Sequence, residues 1–196
     1  MTKTARIREL IVLVLLATVL VVPACLFDTR EADDPAQGGN TISLDDPLKV
    51  FVALSETLND SQQDANYERA LSTTFIFSPS LQDSLDQNFI GTGVFDNWNK
   101  DREMAVLGRL LADAQTLHAE FNPTAEINKN TFVRFRVEYS LDVVPIAAPA
   151  DTNQYRGVAY FDVRLESGNW RLTFWDEAEG VDGYPSWGYL RGILGL

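Results

Sequence analysis

Thr131-Phe132-Val133-Arg134-Phe135-Arg136-Val137-Glu138-Tyr139-Ser140-Leu141 is the stretch that decides the fold. From Val133 to Leu141 the odd positions are apolar, while Arg134, Arg136, Glu138 and Ser140 between them are polar. A period of two is the mark of a strand with one face buried and one face in water. Tyr155, Gly157, Ala159, Phe161, Val163 and Leu165 repeat the pattern further on. After the turn Ser167-Gly168-Asn169, Trp170, Leu172 and Phe174 repeat it again, with Arg171, Thr173 and Trp175 opposite. Leu117 to Phe121 supplies a further edge strand, and residues 145–153 form a connection too long for a tight hairpin.

The chain before this meander has a different period. Leu48, Phe51, Val52, Leu54 and Leu58 follow helical spacing behind Asp45 or Asp46 as cap and Pro47 in the first turn, so a helix is predicted over 47–58. Asn66 to Leu71 reads as a second short helix running into a strand over 73–77. Residues 80–94 read as a loop or lid. Trp98, Met104, Leu107, Leu110 and Leu111 place a long helix over 96–115, capped by Asp96 or Asn97. Helices followed by an antiparallel meander indicate an α+β fold, with the helices packed on one face of the sheet.

At this point the sequence resembles the NTF2-like (cystatin-superfamily) domains. The ending Gly168-Asn169-Trp170-Arg171-Leu172 is similar to the glycine–tryptophan turn and strand common in that superfamily. The resemblance covers roughly residues 44–180 and implies a strongly curved sheet wrapped round helices as a cone. In enzymes of this fold an Asp, His or Tyr works inside the cone. The matching residue types here are His118, Asp176, Tyr139 and Tyr155. His118 is the only histidine, which leaves no His-based metal cluster. It falls on the polar face of its strand beside Glu120, and a surface histidine is the simpler reading. Asp176 ends an aromatic-rich strand, either as a desolvated base or as a strand-end acid facing water, and the second reading is favoured. No phosphate loop, dinucleotide glycine pattern, zinc spacing or calcium loop is present, so no cofactor is expected.

The other legible signal is N-terminal. Lys3, Arg6 and Arg8 precede an apolar run over 11–22, and Ala24 stands before Cys25, the only cysteine. The run is short of the roughly 20 residues a spanning helix needs, and it reads as a secretory signal peptide over 1–24. With cysteine directly after the small residue, it resembles a bacterial lipobox. That resemblance implies lipidation of Cys25 and anchoring in the cell envelope. Leu26 stands where an aspartate would resemble an inner-membrane retention signal, so the periplasmic face of the outer membrane is the expected destination. Two or three acyl chains hold stably where one is marginal. The Cys-x-Phe-x-Thr-Arg start, with Asn66-Tyr67 and Phe75-x-Phe77-x-Pro79 downstream, also resembles a group of bacterial lipoproteins with no assigned activity.

Residues 25–43 are polar, with Pro35, Gly38 and Gly39, and read as the lipidated cysteine and its tether. Residues 44–196 form a single domain, some 150 residues being enough for one core. The chain carries a net charge of −12, and loss of residues 1–24 makes it −14. Such a surface repels phosphate backbones, which excludes nucleic acid as a partner. The tail from Gly183 holds Trp187, Tyr189 and Arg191, residue types enriched at interfaces. It must pack back on the domain or present an aromatic binding surface. The reading is therefore a lipid-anchored module that binds an envelope protein or a small apolar ligand without catalysis. The rival is a hydratase- or isomerase-like enzyme using Asp176 or His118.

Overall fold

The computed structural model describes residues 41–60 and 64–196. The signal peptide, Cys25 and nearly all of the tether lie outside the described residues. The described residues make one compact unit. Its elements are α1 (Lys49–Asn59), α2 (Asp64–Ala70), β1 (Leu71–Ser78), α3 (Leu81–Ser84), α4 (Lys100–Asp113), β2 (Ala114–Lys129), β3 (Phe132–Pro145), β4 (Asn153–Glu166), β5 (Asn169–Gly180) and α5 (Trp187–Gly195). The sheet order is β1-β5-β4-β3-β2. The four long strands form the antiparallel meander, and β1 joins its far edge parallel to β5.

Helix α1 buries Val50, Phe51, Leu54 and Leu58, which recur at helical spacing on one side. It starts two residues later than Pro47. The Leu48 N–H donates to the Asp46 carboxylate at 2.8 Å, so Asp46 holds the entry turn rather than capping the helix. At its other end Asn59 answers the free edge of β2. The side-chain amide donates to the Ala119 carbonyl at 3.2 Å and accepts from the Ala119 N–H at 2.8 Å. Pro123, further along β2, offers no N–H. Both devices blunt an edge on which another strand would otherwise pair.

Helix α4 starts at Lys100, four residues later than Asp96. Asn97 adopts φ 53, a conformation that ends rather than extends a helix, and Asn99 is the cap, accepting from the Arg102 N–H at 3.1 Å. Trp98 therefore precedes the helix and is buried on its own account.

Strand β3 is as read, with Val133, Phe135, Val137, Tyr139 and Leu141 all buried. Strand β5 is not. Val163 pairs with Leu172 and Asp162 with Phe174, so Thr173 is an extra residue, a β-bulge. One inserted residue exchanges the two faces downstream. Trp170 and Leu172 face the core before it, and Trp175 and Glu177 after it, while Phe174 and Asp176 turn outward.

The core is aromatic. Phe51 meets Phe135 and Phe161 with centroids 5.1 and 5.4 Å apart, and Trp175 meets Phe161 at 4.2 Å. The tail packs back. Trp187 N–H donates to the Tyr139 hydroxyl at 2.9 Å, and Arg109 donates to the Leu194 carbonyl at the last turn of α5. Gly188 and Gly192 allow that approach, since a Cβ would stand 2.5 Å from the Asp83 carboxylate and 2.6 Å from the Phe89 ring respectively.

Candidate functional site

The interior of the cone is filled by the chain itself. Trp187 and Arg191 lie four residues apart on one face of α5 and point inward. The Arg191 guanidinium is 0% exposed and donates twice to Glu103 of α4, at 2.9 and 2.7 Å. Tyr67 of α2 donates to the same carboxylate at 2.7 Å, and the Trp98 indole at 2.9 Å. The guanidinium carbon lies 3.9 Å from the Trp175 ring centroid, 4.4 Å from Phe77 and 4.9 Å from Trp187. Burial works against ionisation of Glu103, but the Arg191 charge and the three donors outweigh it and hold the carboxyl below its ordinary range.

A second buried acid sits beside this pair. Glu177 accepts from the Tyr139 hydroxyl, and from the Trp175 indole at 3.3 Å. Burial pushes its carboxyl up to about 8. The Asp83 charge adds to that rise, whereas Tyr139, Arg191 and Trp175 oppose it. Tyr139 is raised well above an ordinary phenol, first by burial and then by the Glu177 charge. Chemically, a carboxyl held this high against a tyrosine is a proton-handling pair, and both of its residues are buried.

The residues singled out in the sequence are dispersed. His118 is 61% exposed, and its ring stands 3.3 Å from the Glu120 carboxylate. Asp176 lies on the outer sheet face in the field of Arg134. Tyr155 and Tyr139 face the core, Trp187 and Arg191 are buried, and Tyr189 is partly buried with its ring 5.3 Å from Phe89. Glu103 and Glu177 were missed. Glu103 carried a signal, since it lies on the stripe that continues as Val106, Leu107 and Leu110.

Recesses open at the surface among the described residues. A groove of about 600 Å³ runs between α1 and β2, lined by Leu48, Phe51, Val52, Phe121 and Pro123, with Ser55, Glu56, Asn59 and Asp60 also on its walls. A smaller recess of about 380 Å³ lies between the α3 segment and the loop that leads into α5. Among the described residues no three acidic, His or Cys side chains come together to hold a metal.

A curved five-stranded sheet closed over helices is the NTF2-like α+β cone. The chain is similar in fold to a protein from Kribbella flavida, with a TM-score of 0.55 and 11% identity over 74% of this chain and 93% of that one. It is similar to a proposed aromatic ring hydroxylase from Novosphingobium aromaticivorans, at 0.53 and 10% identity over 68% and 90%. A proposed scytalone dehydratase from the same organism aligns at 0.51 and 9% identity over 68% and 80%. No family model and no curated protein matches the sequence.

Proposed function

We propose that the protein is a lipid-anchored, non-enzymatic binding module that holds a small apolar molecule in the groove between α1 and β2. One observation carries this reading. The cone, where a ligand of this fold would be enclosed, is occupied by Trp187 and Arg191 of the same chain. The groove outside it is open, and its volume lies in the range of small-molecule sites, about 300–1,000 Å³. The hydroxylase and dehydratase names of two fold neighbours motivate the rival reading. On this chain that chemistry would fall to Tyr139 and Glu177 and would require α5 to leave.

The test uses the neutral fluorophore N-phenyl-1-naphthylamine. Val52 is 44% exposed, so Val52→Glu places a charge in the groove without disturbing the core. Fluorescence titration is expected to show saturable binding that this change weakens at least tenfold, while Val52→Leu retains it. Equal binding by wild type and Val52→Glu would refute the groove as the site.

The anchor rests on the lipobox resemblance at Cys25. Metabolic labelling with an alkynyl fatty acid is expected to mark the wild-type chain and not Cys25→Ser. Undiminished labelling of the mutant would remove the anchor from the proposal.

A further inference from the structure

We propose, on the reading that the groove between α1 and β2 is the binding site, that it selects a neutral single-chain amphiphile, a long-chain alcohol or monoacylglycerol, and turns away the anion of a fatty acid. Its shape favours a chain. Leu48, Val52, Ser55 and Asn59 line it at steps of three and four along the whole of α1, so at about 1.5 Å per residue it runs for about 16 Å. Phe121 and Pro123 face it from β2, and the Phe121 ring lies 6.2 Å from that of Phe51. Leu48 and Val52 are 49% and 44% exposed, so apolar side chains that α1 does not bury in the core stand open along the wall. A peptide fits the same groove poorly. An added strand is held by main-chain hydrogen bonds, yet the Asn59 side chain already takes both main-chain groups of Ala119, and Pro123 has no N–H to give. An alkyl chain needs no such bonds.

Charge selects the head group. Ser55, Glu56, Asn59 and Asp60 gather at the end of the groove away from Leu48. No lysine or arginine is among the lining residues, the last turn of α1 carries no basic side chain, and the chain as a whole has a net charge of −12. A carboxylate head beside Glu56 would meet a like charge, with no cation to offset the loss of its water. The carbonyls that end α1 add negative potential there. A hydroxyl head can instead donate to a carboxylate and has no charge to desolvate. Buried methylenes supply the affinity, and the acids supply the selection.

The experiment is displacement of N-phenyl-1-naphthylamine by decan-1-ol, octan-1-ol, decanoate and indole at neutral pH in 0.15 M salt, which screens distant charges. It uses the Cys25→Ser protein, so that no acyl chain on that residue competes. Decan-1-ol is expected to bind at least fivefold more tightly than decanoate. Octan-1-ol should be weaker than decan-1-ol by up to about fourfold per methylene removed, the equivalent of about 0.8 kcal/mol each. Glu56→Lys should bring decanoate to within twofold of decan-1-ol, and Glu56→Gln should narrow the gap. Absence of saturable fluorophore binding would remove the groove as a site, and the selection with it. Fluorophore binding with equal displacement by decan-1-ol and decanoate would overturn the selection alone, as would an unchanged preference in Glu56→Lys. Displacement by indole and not by decan-1-ol would assign the groove to a ring and overturn the chain.

Discussion

Replacing Arg191 with methionine is expected to lower the stability of the domain by about 3–5 kcal/mol, the usual cost of removing one partner from a buried ion pair. Methionine keeps much of the stem, so the change removes charge and hydrogen bonds more than volume. What it leaves behind is the damaging part. Glu103 would remain buried under Trp98 and Tyr67, with two neutral donors and no counter-charge. The stacking of the guanidinium on Trp175, Phe77 and Trp187 would go as well.

The pair itself need not be stabilising against an apolar substitute. Its desolvation offsets much of its attraction, and the Arg191 Nη1 has no hydrogen-bond partner among the described residues. Glu103→Leu combined with Arg191→Met should therefore cost less than the two single changes added together, by more than about 1 kcal/mol, since contacting residues couple by this amount. Urea unfolding of the four proteins measures both quantities. A loss below about 1 kcal/mol for Arg191→Met would be a surface-like effect and would mean that α5 does not seat its arginine in the cone.

That ion pair also marks where sequence reading stops. The alternation in β3 was legible because every second residue is a large apolar one, with burial to match. The docking of the tail was legible in part, because aromatic residues so closely spaced do not stay in water. Its ionic partner was not. Glu103 precedes Arg191 by 88 positions, and nothing local joins an acid on a helical stripe to an arginine in a distant tail.

The face of β5 is hidden from the sequence for a different reason. The alternation Trp170, Leu172, Phe174 is self-consistent, and no residue type announces that Thr173 bulges out of the ladder. The bulge turns Asp176 to the outer face and Glu177 to the core. Strand β2 is legible only over 117–121 because most of its 16 residues are exposed or half-buried. A long polar edge strand lacks the apolar period by which strands are recognised.

The position of Glu177 makes stability fall as pH rises, opposite to the behaviour of a salt-bridged carboxylate. In the unfolded chain this group ionises near 4.5, and in the folded chain near 8. Between those values the folded state holds a proton that the unfolded state has released, so ionisation favours unfolding. The contribution is whole below about pH 4.5 and is lost by about pH 8, and for a fully buried carboxyl it is on the order of several kcal/mol. Glu103, held below its ordinary range, acts with the opposite sign. Its contribution is present above about 4.5 and lost in acid, so the two effects occupy separate windows.

Glu177→Gln keeps an acceptor for the Tyr139 hydroxyl and cannot ionise. Urea unfolding between pH 5 and 9 should show a falling stability in wild type and a nearly level one in the variant, with the variant the more stable at pH 9. Parallel curves would mean that Glu177 is already ionised at neutral pH, with Arg191 or solvent compensating its charge. The cone would then hold a charged carboxylate beside Tyr139, and the case for the catalytic rival reading would gain from it.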